Sequence, residues 1–170
     1  MPMPRPTRSA RPTTNRSAST DGVPHDVMAV PQRLTMVTLG VADVARSTAF
    51  YESLGWHRSP ASEETITFFR MQGSALALFQ RRALAEDANV SADGTGFRAV
   101  TIALNCADRD EVDTVFAEWV AAGAEPVKRP EAVEWGGYSS YVADPDGHLW
   151  EIAHNPFSPN DADGFMPLPD

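Results

Sequence analysis

Only one cysteine, Cys106, occurs in the 170 residues, so no disulfide can form within the chain. A reducing, cytoplasmic setting is therefore expected. Cys106 follows an apolar run and has no adjacent histidine or basic residue, which marks an inert, partly buried thiol rather than an activated nucleophile. Long apolar runs are also missing. None approaches the roughly 20 residues of a membrane span, so no membrane partner is expected. The N-terminal arginines are not followed by the apolar stretch of a secretory signal. Positive charge is scarce: 14 Lys and Arg face 23 Asp and Glu, for a net charge of -9. Such a surface repels phosphate backbones and argues against nucleic-acid binding. What is present is an ordinary globular composition, 42% hydrophobic and 22% charged, in a length that suits one domain with a proper core.

Residues 1–30 differ from the rest. They are rich in Pro, Arg, Ser and Thr and poor in large apolar side chains, which is the composition of a disordered tail. Their net charge is positive, which leaves the remainder still more acidic. From Leu34 the pattern changes. LTMVTLGV, 34–41, reads as a strand, and Asp43 can cap a helix that ends at Gly55. ITFFRM, 66–71, and ALALFQ, 75–80, read as a hairpin around Gln72-Gly73. A polar linker is expected over 82–96, with a short helix near Arg82–Asp87. AVTIALNC, 99–106, reads as a strand, and Asp108 can cap a helix to Ala122 that Gly123 stops. Glu125–Pro130 reads as a connection. SSYVAD, 139–144, and HLWEIAH, 148–154, read as strands joined by Pro145-Asp146-Gly147. That turn is turn chemistry rather than a catalytic cluster.

The order strand, capped helix, antiparallel strands therefore appears twice. MVTLGVAD, 36–43, matches TIALNCAD, 101–108, and GSALALFQ, 73–80, matches GHLWEIAH, 147–154. The expected fold is α+β: tandem βαβββ modules forming one half-open, barrel-like sheet with the helices outside. Module one covers 34–81, the linker 82–96 and module two 97–156, within a single domain over 31–157. A C-terminal tail follows over 158–170.

WGGYSSYVADPDGHLWEIAHNP, 135–156, and VTLGVADVARSTAFYESLGW, 37–56, resemble the vicinal oxygen chelate superfamily, which includes glyoxalases, bleomycin resistance proteins and dioxygenases. With the repeat, the resemblance spans about 34–156. It implies a metal held by two ligands from each module, one on the first strand and one on the last. Those positions fall on Met36, Ala77, Thr101 and Glu151. Of these only Glu151 is a hard anionic donor, and N/O-liganded metal sites need three or four donors. His148 and His154 face away from Glu151 by strand alternation and sit roughly 20 Å apart along the strand. His57 and His25 read as surface residues. No cofactor is expected; a divalent metal, held if anywhere through Glu151, is the alternative.

The site residues follow from the same reading. Glu151 is the candidate catalytic base or ligand acceptor, since a carboxylate among apolar neighbours suits base chemistry. Met36, Phe69, Thr101, Trp135 and Tyr138 are candidate ligand contacts, with Gly136 and Gly137 allowing close approach of the backbone. The first functional expectation is metal-independent binding of a small organic molecule in an apolar, aromatic-lined cavity. The alternative is a lyase, isomerase or dioxygenase of the same superfamily using Glu151. A third reading is a pure interaction protein whose cavity is filled by its own side chains. The second module shows no clear Arg/Lys cluster of the kind a glutathione site needs. The family pattern also implies a homodimer.

Overall fold

The computed structural model describes residues 33–166. The expected N-terminal tail over 1–30, His25 included, lies outside the described residues, as do 31–32 and 167–170. The order of elements is β1 (Met36–Val41), α1 (Val44–Ser53), β2 (Ile66–Arg70), β3 (Ala75–Gln80), α2 (Arg81–Asp87), β4 (Ile102–Asn105), α3 (Arg109–Ala121), β5 (Glu125–Ala132), β6 (Tyr138–Ala143) and β7 (Leu149–His154). Both caps form where the aspartates stand. Asp43 accepts from the Arg46 amide at 3.0 Å, and Asp108 from the Glu111 amide at 2.8 Å. Gly55 and Gly123 follow the two helices with φ of 84° and 106°, conformations that stop a helix cheaply only at glycine.

The strands form two small sheets, ordered β1-β3-β2 and β4-β7-β6-β5. The repeat is visible in the registers. In each sheet the module's first strand lies parallel to its last, pairing Thr38 with Ala77 and Ala103 with Glu151. No barrel closes, and the architecture is α+β, as the repeat implies.

Two details depart from the expected elements. Residues 125–132 form β5 rather than a connection. It is an edge strand with register shifts near Pro126 and Lys128, where missing proline N–H groups can be tolerated. Module one has no counterpart to it: residues 57–65 make only the bridges Arg58–Phe69 and Glu63–Ile66. The strand expected over 99–106 begins at Ile102, because Ala99 has a φ of 58° that an extended strand cannot continue. The short helix expected near Arg82–Asp87 forms as α2, which packs on the face of β1 opposite the core. Gly40 makes room for it, since a Cβ there would approach Arg81 Cα and Leu84 Cδ2 at 3.3 Å.

The core joins the modules. Phe50, Tyr51 and Phe69 from the first meet Trp119 and Trp150 from the second, and the partly buried Trp56 packs against them. Trp56 stacks on Tyr51 at 5.1 Å, and Trp119 meets Trp150 at 5.1 Å. Ring pairs of this kind add about 0.5–1.5 kcal/mol each beyond the area they bury.

A polar clasp completes the junction. Asp146, in the turn before β7, accepts from the Ala42 amide at 2.8 Å, Arg46 Nη2 at 2.7 Å and Ser47 Oγ at 2.5 Å, all at the start of α1. Tyr51 Oη donates to Asp144 Oδ2 at 2.7 Å and accepts from Trp150 Nε1 at 3.1 Å. Burial, and then the Asp144 charge, drive the Tyr51 pKa far up, so the phenol stays a neutral donor. Burial alone would raise the pKa of Asp146. The bonds from Ser47, the Ala42 amide and Arg46, with the Arg46 charge, outweigh burial and hold it below the ordinary carboxylate value. The turn read from the sequence as turn chemistry is also the fastening between the modules.

Candidate functional site

Alternation along the strands assigns the faces. Leu39, Val41, Leu78, Trp150 and Ile152 are buried in the core. Thr38, Ala77, Ala103 and Glu151 therefore lie on the opposite, partly open faces of the two sheets, with Ala77 buried, Thr38 and Glu151 half-buried and Ala103 exposed. Glu151 has two polar neighbours there. Ser139 Oγ donates to Glu151 Oε1 at 2.8 Å. Tyr141 pairs with Glu151 across β6 and β7. Burial first, and then the Glu151 charge and its hydrogen bond, raise the Tyr141 pKa, so that phenol is a neutral donor at neutral pH. Lys128 Nζ lies 6.0 Å from the Tyr141 ring centroid. The group is a carboxylate that accepts from one serine hydroxyl and faces a phenol across the strand pair, and it can accept a proton or orient a polar group of a ligand.

The other candidate residues are spread over the molecule. Met36 lies on the open face at the start of β1 and is 45% exposed. Thr101 is exposed and precedes β4. Phe69 is 1% exposed within the aromatic core, so it does not share the space in front of Glu151. In β2 it is Phe68 that pairs with Ala77, and Phe69 points the other way. Tyr138 also faces the core side: it donates to Asp113 Oδ1 at 3.0 Å and carries Arg109 over its ring at 5.4 Å. Trp135 is half exposed and lies over its own Gly137, where a Cβ would meet the indole at 1.8 Å. That contact, rather than approach of a ligand, is what Gly137 permits here.

Ser139 and Tyr141 were within reach of the sequence. A tight turn at Pro145–Gly147 fixes the hairpin register and puts both on the face of Glu151. His148 and His154 are engaged with backbone carbonyls, of Gly40 at 3.1 Å and of Cys106 at 3.2 Å. Burial, followed by the Glu111 and Asp108 charges, pushes the Cys106 thiol up to about 11, which keeps it protonated and unreactive at neutral pH.

A metal of the superfamily type does not fit these donors. At the four ligand positions stand a thioether, a methyl group, a neutral hydroxyl and one carboxylate. Among the described residues, no three His, Cys, Asp or Glu side chains come together as a metal site would require.

Two adjoining cavities open beside this face. One, of about 470 Å³, lies between β1 and β4 and is lined by Val37, Thr38, Phe97, Val100, Ile102 and Leu149. Leu149 is two residues from Glu151 and shares its face. The other, of about 570 Å³, lies between α2, the segment after it and the 146–148 turn, and is lined by Arg81, Leu84, Val90, Arg98 and His148 among others. Gly96, Arg98, Gly147 and His148 line both.

The comparisons agree with this architecture. Residues 33–152 match the model of the Glyoxalase/Bleomycin resistance protein/Dioxygenase superfamily. A glyoxalase-related enzyme from Fulvimarina pelagi is similar at 35% identity, with 82% of this chain and 100% of that one covered and a TM-score of 0.74. A glyoxalase/bleomycin resistance protein/dioxygenase from Nocardioides is 26% identical over 76% of this chain and 88% of its own, with a TM-score of 0.63. Lactoylglutathione lyase from Agrobacterium tumefaciens, 22% identical over 75% of this chain and 97% of its own with a TM-score of 0.58, shares the fold. No curated protein matches. Among the described residues, no helix is long and apolar enough to cross a membrane. With a family model matched over most of its length and its paired modules on view, the chain belongs to the glyoxalase/bleomycin resistance protein/dioxygenase superfamily.

Proposed function

We propose that this protein binds a small organic molecule, without a metal, in the apolar cavity between β1 and β4. The observation that carries the reading is that cavity itself. Its volume of about 470 Å³ suits a small ligand, and its walls are mostly aliphatic, with Phe97 as an aromatic edge. The donor set beside it supports a metal-independent mode, since it offers one carboxylate where the superfamily's chemistry needs several donors. Cytoplasmic residence and a homodimer belong to the same reading. β1 and β4 stand at the ends of their sheets. Sedimentation equilibrium tests the dimer.

The experiment pairs two measurements. Metal content is measured after incubation with Fe(II), Mn(II), Ni(II) and Zn(II), for the wild type and for Glu151→Ala. Thermal shift with 1-octanol is measured for the wild type and for Leu149→Trp, which fills the cavity. The expected result is no stoichiometric metal and a rise in melting temperature that Leu149→Trp abolishes. Stoichiometric metal in the wild type that disappears in Glu151→Ala would sink the metal-independent reading.

A second reading has an observation of its own. Ser139 and Tyr141 flank Glu151 as an acid–base group would require. A lyase, isomerase or dioxygenase-type enzyme using Glu151 is therefore the alternative, and the relative from Fulvimarina pelagi is itself described as an enzyme. Turnover lost in both Glu151→Gln and Tyr141→Phe, with binding retained, would favour it.

A further inference from the structure

Arg81 opens α2 and Arg98 lies 17 residues later, yet both guanidinium groups converge on one backbone oxygen. Arg81 Nη2 donates to Ala92 O at 2.8 Å and to Gly94 O at 3.2 Å. Arg98 Nη2 donates to the same Gly94 O at 2.6 Å. Gly94, with a φ of 122°, lets the second guanidinium lie against the backbone; a Cβ there would come within 3.1 Å of Arg98 Nη1. Two like charges are thus held close at an exposed position, where solvent screens part of their repulsion and a bound anion would offset the rest.

Among the described residues neither arginine forms an ion pair. The carboxylate of Asp146, which lines the same cavity, already accepts from Ala42, Arg46 and Ser47. Asp93 lines a small pocket with Arg81 and Arg82 and accepts from Ser91 Oγ, yet makes no ion pair with Arg81 or Arg98. Each guanidinium carries five donors in a planar fork, so most of the donors of the pair are unspent. In a chain of net charge -9, a cavity wall with two arginines, whose one lining acid, Asp146, is already paired with Arg46, is a local reversal of sign. The neighbouring residue, Ala99, holds a left-handed φ of 58°, a backbone cost kept up beside the pair.

Arg98 lines this cationic cavity and the apolar one beside it. Building on the binding reading above, we infer that the ligand is an amphipathic oxyanion, with its apolar body between β1 and β4 and its carboxylate or phosphate head on Arg81 and Arg98. A planar or tetrahedral oxyanion can take two donors from a guanidinium, which neutral polar heads cannot match.

Calorimetric titration with octanoate, octyl phosphate and 1-octanol separates the possibilities. The expected result is that one or both anions bind at least tenfold tighter than the alcohol. Arg98→Gln and Arg81→Gln should each remove about tenfold or more of that preference. Arg82→Gln, which takes away the same charge from the exposed surface of α2, should leave it unchanged. Which anion binds tighter identifies the head group. Equal binding of all three probes to the wild type overturns the oxyanion and leaves the apolar cavity standing. A preference that survives both arginine variants overturns the assignment of the head-group site. Absence of binding by all three overturns the cavity reading as well. Should the variants unfold, the side-chain Nε–H signals of Arg81 and Arg98 in nitrogen-15-labelled wild type give the answer. They shift on adding octanoate if the inference holds, and stay in place if it does not.

Discussion

The two faces of the sheets treat their polar groups in opposite ways. On the packed side, between α1, α3 and the strands, each buried donor meets an acceptor. Trp150 donates to Tyr51, Tyr51 to Asp144, and Asp144 also receives the amides of Asp146 and His148. On the open side a carboxylate keeps two hydroxyl neighbours, two arginines share one carbonyl, and Met36, Phe97 and Val100 are exposed. Groups paired within the chain hold a fold together, and groups left with spare capacity are the ones that can recognise something else. In this chain the spare capacity lies on the open side, although Ser139 there is buried and paired.

That contrast can be broken from either side. The largest effect is expected from Trp150→Ala, which empties the middle of the aromatic junction. It should cost about 3–5 kcal/mol by urea denaturation and separate the modules' packing. Asp146→Asn comes next, at about 2 kcal/mol near neutral pH, since it weakens charge-assisted bonds to the start of α1. The pH dependence has a definite sign. The folded-state pKa of Asp146 lies below its unfolded value, so its contribution is full above the unfolded carboxylate range and is lost as pH falls through the folded value. The wild-type and Asp146→Asn stability curves should therefore converge in acid; a constant gap down to the lowest pH would contradict the clasp. Glu151→Ala, on the open face, should change stability by less than about 1 kcal/mol, because a part-exposed hydrogen bond contributes little net. A loss as large as that of Asp146→Asn would erase the distinction between the faces. The smallest change is expected from Gly137→Ala. It forces the Trp135 indole off its glycine and should be read as a red shift in fluorescence with little loss of melting temperature.

The elements were legible where local chemistry decides. The capping aspartates, the helix-ending glycines and most of the strands stand where the sequence puts them. β5 was not, because Pro126 and Pro130 argue against a strand and only an edge position reconciles them. The shortened β4 turns on one left-handed alanine that composition does not reveal. At the site, Glu151 could be placed on its face by alternation, and the same rule would have moved Phe69 and Tyr138 to the other one. Arg81 and Arg98 were beyond such rules. Their meeting depends on the path of a glycine-containing segment that carries no periodic signal.

The clasp also has a consequence in time. Its hydrogen bonds join residues 93 to 104 positions apart, whereas the hairpins on either side close over a few residues. Short loops close first, so each hairpin can assemble early and the long-range contacts come last. Interactions formed after the folding barrier govern how fast a protein comes apart rather than how fast it forms. Asp146 is thus expected to act as a brake on unfolding. Its removal should leave the refolding rate nearly unchanged while the modules part more often, and each parting lays bare the aromatic rings between them.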